Sequence, residues 1–313
     1  MRIVFAGTPE FAVPSLRALV AAGHEVIGVI TREDAPLGRK RVLTPSPVAA
    51  AAEQLGLPVL RANRLDAAAT EWVAERAPEL GVIVAYGGLV REPLLSLPAH
   101  GWINLHFSEL PRWRGAAPVQ RALEAGEQQL GVTVFRLVPA LDAGDVLTRD
   151  AREFAPGTPA GAALTDLAEF GTAAVLEAVE LLARDPGAGD PQTGAESYAH
   201  KLSREDGRLD LSLDARTVLA RWAGMTPEPG AYVLHEDQPL KLIELAPVPD
   251  EVAATAHDAA GATAPGTALL VAGTAVLTTG DGLLALRRVQ PAGKPAMDAA
   301  AWLRGRDGRA VLA

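Results

Sequence analysis

The first hundred residues alternate between short apolar runs and longer amphipathic stretches, and this alternation restricts the possible folds more than any other feature of the chain. RIVFAG (2–7) is an apolar run ending in glycine, PSLRALVAAG (14–23) has helical spacing and a glycine stop, and EVIGVIT (25–31) is apolar again. VAAAAEQLG (48–56) and ATEWVAERAP (69–78) carry helical periodicity, PVL (58–60) is a brief strand, and GVIVAYGG (81–88) and GWINLH (101–106) are further buried strands. Strand and helix in alternation call for a parallel sheet covered on both faces. GVTVFRLV (131–138) and VLTRDAREF (146–154) follow with little between them, so the sheet is expected to end in antiparallel pairing. A long Ala/Leu helix should run from Pro159 to Arg184.

The composition then changes. DPGAGDPQTGAES (185–197) is rich in Pro and Gly and reads as a linker. Beyond about residue 210 the apolar runs are short, and Gly280-Asp281-Gly282 has the chemistry of a hairpin turn. Several short strands in so short a stretch suggest a small β-barrel or sandwich. Residues 248–267, mostly Ala, Gly, Pro and Asp, are expected to form a mobile surface loop. The organisation is therefore an α/β domain with a mostly parallel sheet over 1–184, a linker over 185–208, and a small β-domain over 209–313. A length of 313 residues suits two domains.

There is no cysteine, which excludes disulfides, thiolate catalysis and Cys-ligated zinc. The six histidines have no metal-ligand spacing, so no metal is expected. No apolar run reaches the roughly 20 residues of a spanning helix, and the N-terminus has no signal-peptide pattern; no membrane partner is expected, and the chain reads as cytoplasmic. The net charge of -9 argues against nucleic acid as a partner. Charge acts locally, however. Residues 287–309 hold six basic residues (Arg287, Arg288, Lys294, Arg304, Arg306, Arg309) against Asp298 and Asp307, and Arg39-Lys40-Arg41 lies in a polar connection, 32–47, that is long for an α/β unit. Each cluster is either solvated surface or a basic patch for a polyanion.

Ligands of open parallel sheets sit beyond the carboxyl ends of the strands. Asn104 and His106 end one strand, Tyr86-Gly87-Gly88 ends another, and Asp142 in LDAGD follows a third. If these segments meet, the amide donates without titrating, the imidazole handles a proton near neutrality, and the carboxylate orients the ring and stabilises its cation. With no Ser or Cys nucleophile in an elbow, the set suits direct attack of an external nucleophile on a carbonyl. Read singly, a His after a strand is more often a local hydrogen-bonding group, and an Asp before Gly a turn residue. FAGTPEF lacks the G-x-G-x-x-G fingerprint, which weakens a dinucleotide-dependent oxidoreductase reading.

NLHFSELPRWRGAAPVQRAL, with the later LDAGD, resembles the signature of the folate-dependent formyltransferases. The likeness extends through MRIVFAGTPEFAVPSL, AYGGLV, SYAHKLSREDGRLDLS and QPAGKPAM, nearly the whole chain. It implies a Rossmann-like domain followed by an OB-like barrel, and transfer of formyl from 10-formyltetrahydrofolate to the α-amine of initiator methionyl-tRNA by a monomer. Asn104, His106 and Asp142 become the catalytic trio. Ser108, Glu109, Leu110 and Pro111 become folate contacts, with Ala85, Tyr86 and Gly87 behind the pterin. Arg39, Lys40 and Arg41 become the tip of a loop entering the acceptor end of the tRNA, and Arg287, Arg288 and Lys294 belong to a second basic patch for it. Glu109 stands where the family has Leu, Gly88 where a larger apolar residue is common, and MTPEPG (225–230) where NPWPG is typical. Arg112 and Arg114 either anchor their turn or meet phosphate. The alternatives are a formyltransferase for a small amine, such as glycinamide ribonucleotide or a nucleotide sugar, and a non-catalytic tRNA-binding protein; the second domain disfavours the former and the intact trio the latter.

Overall fold

A computed structural model describes residues 1–38, 40–261 and 263–313. The chain forms two compact units: residues 1–118, 130–152 and 164–199 make the first, and 119–129, 153–163 and 200–313 the second. The linker-like stretch 185–199 is thus part of the first unit.

The first unit is built on a seven-stranded sheet. Its spatial order is Val146–Glu153, Gln129–Arg136, Trp102–His106, Leu80–Val84, Arg2–Gly7, Glu25–Thr31 and Val59–Arg61. Pairing is parallel from Val59–Arg61 through Trp102–His106 and antiparallel between Trp102–His106 and Gln129–Arg136. Ile3, Val4 and Phe5 of the central strand are completely buried, as a strand covered on both faces must be. The helices start where their caps dictate. Ser46 Oγ accepts the Ala49 N–H to open Pro47–Gln54, and an Asp66 carboxylate oxygen accepts the Ala69 N–H to open Ala67–Ala74. The expected long helix is Ala160–Arg184. The connection 32–47 carries a small antiparallel hairpin, Ala35–Leu37 with Val42–Thr44, whose Leu37, Val42 and Leu43 are exposed.

In the second unit an antiparallel sheet curls into a half-barrel, with strand order Tyr232–His235, Gln238–Pro247, Leu283–Pro291, Thr274–Thr278, Thr267–Val271 and Arg309–Val311. Its core includes Trp222, Leu242, Leu286, Val289 and Trp302, and Trp222 Nε1 donates to the Leu242 carbonyl at 2.7 Å. Gly280-Asp281-Gly282 joins two antiparallel strands, as the turn chemistry requires. The stretch expected to be a mobile loop holds a helix, Asp250–Ala260. Val252, Ala256 and Ala260, four residues apart, are buried, and Ala256 packs with Val271 and Val276; Asp250 and Glu251 sit in the favourable first turn. The Gly and Pro residues that suggested a loop flank this helix instead of interrupting it. No helix among the described residues is long and apolar enough to cross a membrane.

Candidate active site

Asn104 and His106 lie two apart on the Trp102–His106 strand and so point to one face of it, in register with Phe135 and Thr133 of the neighbouring strand. His106 is buried. Its Nε2–H donates to the Trp113 carbonyl at 2.9 Å, which leaves Nδ1 as the unprotonated nitrogen of the neutral ring. Nδ1 faces Asp142 Oδ2 at 3.9 Å, too far for a hydrogen bond but close enough for strong electrostatic coupling. Burial pushes the His106 pKa below its ordinary 6.5; the Asp142 carboxylate and the hydrogen bond to Trp113 oppose the shift without reversing it. The ring is therefore neutral at neutral pH. Asn104 Oδ1 is buried with no hydrogen-bond partner among the described residues. A buried acceptor left empty costs about 1–3 kcal/mol, so it marks a place where a donor is expected.

Asp142 arrives by a route that strand order alone does not suggest. Gln129–Arg136 runs antiparallel to Trp102–His106, so its carboxyl end lies beside Ile103 rather than His106. The following loop doubles back to bring Asp142 to the ring. Gly144 makes the return possible: a Cβ there would lie 1.8 Å from the Arg136 carbonyl oxygen, a clash of backbone against backbone. Asp142 Oδ2 accepts the Gly115 N–H at 2.8 Å, which fixes the carboxylate. Trp113 and Asp142, the residues on either side of the ring, both have positive φ, 60° and 44°. For non-glycine residues this is strained backbone that surrounding bonds must hold in place.

The 106–115 loop is internally tied. Thr133 Oγ1 donates to the Ser108 carbonyl at 2.7 Å and accepts the Leu110 N–H at 3.2 Å, while Ser108 Oγ donates to the Arg112 carbonyl at 2.6 Å. Arg149 donates to the Leu110 carbonyl. Ser108, Leu110 and Pro111 are buried and their side chains build the loop; Glu109 is half-buried, its Cγ lying over Gly131. Arg114 resolves into an anchor: its guanidinium donates to Gln192 Oε1 and pairs with Glu196.

Ala85, Tyr86 and Gly87 follow the Leu80–Val84 strand. Tyr86 is buried, and its hydroxyl donates to the Ala62 carbonyl at 2.6 Å. Arg32, at the end of the Glu25–Thr31 strand, donates to the carbonyls of Tyr86 and Gly87 and lies 5.7 Å from the Tyr86 ring centre. A Cβ on Gly88 would stand 2.5 Å from the Tyr86 ring, so glycine at this position allows the ring to lie where it does. Arg32, Thr133, Arg149 and Gln192 were not singled out by the sequence. Only Arg32 carried a usable signal, its position just beyond the carboxyl end of a central strand.

The remaining candidates lie elsewhere. Lys40 and Arg41 are exposed at the turn of the small hairpin, and Arg39 is outside the described residues. Arg287, Arg288 and Lys294 are exposed in the second unit, with Arg287 3.7 Å from Glu244.

Known proteins resemble the chain along its whole length. The formyl transferase family pattern matches residues 1–179, and that of the formyl transferase C-terminal domain matches 201–307. The methionyl-tRNA formyltransferase of Leifsonia xyli subsp. xyli is 54% identical over 313 residues, covering 100% of both chains; that of Clavibacter sepedonicus is 50% identical with the same coverage. Among solved structures, HypX from Aquifex aeolicus in complex with tetrahydrofolic acid superposes with a TM-score of 0.66 at 19% identity, over 97% of this chain and 47% of that one. Methionyl-tRNA formyltransferase from Clostridium thermocellum gives a TM-score of 0.58 at 13% identity, over 79% and 93%. At such identities these two likenesses concern the fold alone. With two family patterns in chain order and full-length relatives at half identity or more, the chain belongs to the methionyl-tRNA formyltransferase family.

Proposed function

We propose that this enzyme moves a formyl group from 10-formyltetrahydrofolate to the α-amine of methionyl initiator tRNA, with Asn104, His106 and Asp142 as its catalytic residues. The observation that carries the reading is the buried His106, its Nε2 held by the Trp113 carbonyl and its Nδ1 facing Asp142, beside an amide oxygen that has no donor among the described residues. As the amine nitrogen bonds to the formyl carbon, His106 Nδ1 accepts the amine proton. Asn104 Oδ1 accepts the second amine N–H, and its NH2 group donates to the developing oxyanion. The Asp142 carboxylate stabilises the imidazolium so formed. Collapse breaks the bond from the formyl carbon to the folate nitrogen, and the Nδ1–H returns its proton to that nitrogen. The amine, formyl carbon and folate nitrogen exchange one bond and one proton, and His106 ends neutral.

The folate lies against Ala85, Tyr86, Gly87 and the 108–111 stretch in this reading. In the same reading residues 1–184 carry the catalytic and folate-contacting residues, 185–208 lead from them to the second domain, and 209–313 help hold the tRNA through Arg287, Arg288 and Lys294. The protein acts as a monomer, in the cytoplasm, where charged tRNA is found. Arg39, Lys40 and Arg41 give an acidic protein local positive charge where the acceptor end approaches, and the exposed Leu37, Val42 and Leu43 offer apolar surface beside it.

The test is kcat/KM for methionyl initiator tRNA across a salt series, parent against a variant with Arg39, Lys40 and Arg41 all replaced by Ala. The parent should produce formylmethionyl-tRNA. The variant should be less efficient at low salt and have a flatter salt dependence, because fewer counterions are released from phosphate. Coincident curves would move acceptor recognition away from the hairpin, and a parent that makes no formylmethionine would remove the reading altogether.

A further inference from the structure

The stretch 185–199 has the composition of a linker, but its hydrogen bonds reach the two strained residues that flank His106. Asp190 and Val146 exchange backbone hydrogen bonds of 2.8 and 2.9 Å, which ties the start of the stretch to the sheet. Ser197 Oγ accepts the Trp113 N–H at 2.9 Å, the Ser197 carbonyl accepts the Arg114 N–H at 2.8 Å, and Ser197 N–H donates to the Pro111 carbonyl at 3.2 Å. Tyr198 and Ala199 then pair in parallel with Arg114 and Gly115.

Between these anchors stands Gln192. Its Nε2 donates to the carbonyl of Asp142 at 2.8 Å and to that of Gly144 at 2.9 Å. Its Oε1 accepts from Arg114 Nη2 at 2.8 Å and Nε at 3.3 Å. Both amide donors and the amide oxygen are thus used, and every partner belongs to the two loops that face His106. A carboxylate could not replace the amide, since the oxygen in place of Nε2 would meet two carbonyl oxygens. A hydrophobic side chain would leave those carbonyls and Arg114 without this partner. Asp142 has a φ of 44°, a conformation that non-glycine residues avoid, so its loop needs external bonds to keep that shape. The Gly115 N–H holds the carboxylate end of the residue, and Gln192 holds its backbone.

We infer that Gln192 is a positioning residue for formyl transfer, holding the Asp142 loop so that its carboxylate stands against His106. It acts through its hydrogen-bond partners Asp142, Gly144 and Arg114. The inference rests on the proposed roles of His106 and Asp142.

The test is a double-mutant cycle on the full-length enzyme, using parent, Gln192→Ala, Asp142→Asn and the double variant. Methionyl initiator tRNA and 10-formyltetrahydrofolate are the substrates, and thermal denaturation is followed alongside. Gln192→Ala should lower kcat by about 10- to 100-fold, the scale of an ångström-sized misplacement, with little change in either KM. The acid limb of its pH–rate profile should move to lower pH, because a displaced carboxylate no longer favours protonated His106. In the Asp142→Asn background the same substitution should cost nothing further. Gln192→Glu retains the length and the acceptor for Arg114 and should be as slow as Gln192→Ala, which separates lost donors from lost bulk. A Gln192→Ala enzyme with the parent's kcat and pH profile, beside an impaired Asp142→Asn, overturns the positioning role alone, as does an additive cycle. A fully active Asp142→Asn overturns the catalytic reading, and the positioning role with it.

Discussion

Replacing His106 by alanine is expected to lower kcat for formyl transfer by about 10²- to 10³-fold, within the range for losing a positioned general base, and Asn104→Ala by a similar factor, the range for removing one oxyanion donor. The two losses have different origins. His106→Ala removes the nitrogen proposed to take and return the amine proton, while its packing partner Phe135, 6.4 Å away in an edge-to-face arrangement, loses a contact. Asn104→Ala removes both the proposed oxyanion donor and a buried acceptor that has no partner among the described residues. The fold should tolerate the second change well, because an acceptor that was never satisfied is no longer buried. Folate affinity, measured by equilibrium binding, should change little in either variant. Near-parental turnover in both would remove them from the mechanism.

Asp142→Asn should fold, keep its substrate affinities, and lose most of its turnover. The neutral amide can still accept the Gly115 N–H through its oxygen, so the loop retains an anchor. It cannot favour the imidazolium as a carboxylate 3.9 Å away does. The sign of the pH effect follows directly. Burial lowers the His106 pKa and Asp142 partly restores it, so removing the charge lowers it further. The acid limb of kcat against pH should therefore shift to lower pH in Asp142→Asn, together with a reduced plateau. An active variant with an unshifted profile would make Asp142 a turn residue and nothing more.

Much of this architecture can be read from the residues. The parallel strands are legible because buried parallel strands are continuous apolar runs, and Asn104 and His106 stand out because polar groups end such a run. Asp142 is legible as a type of residue but not as a position. Its strand is antiparallel and its loop returns, and neither a topological reversal nor the 1.8 Å constraint at Gly144 leaves a periodicity to detect. The Asp250–Ala260 helix was obscured by its composition, since small residues provide a weak apolar stripe that only packing against Val271 and Val276 completes. Gln192 is hidden for a related reason. In a Pro/Gly-rich stretch a glutamine looks like solvated polarity, and its importance comes from three partners, Arg114, Asp142 and Gly144, distant in sequence.

Formyl transfer by this route depends on the proton state of one ring. Nitrogen-15 spectra of His106 in the folded enzyme, recorded across a pH titration and assigned against His106→Ala, measure it directly. The predicted result is a neutral ring protonated on Nε2 at neutral pH, with a midpoint below the ordinary 6.5 that falls further in Asp142→Asn. A cationic ring at neutral pH, or a neutral ring protonated on Nδ1, would contradict the account, because neither leaves Nδ1 free to take the proton of the attacking amine.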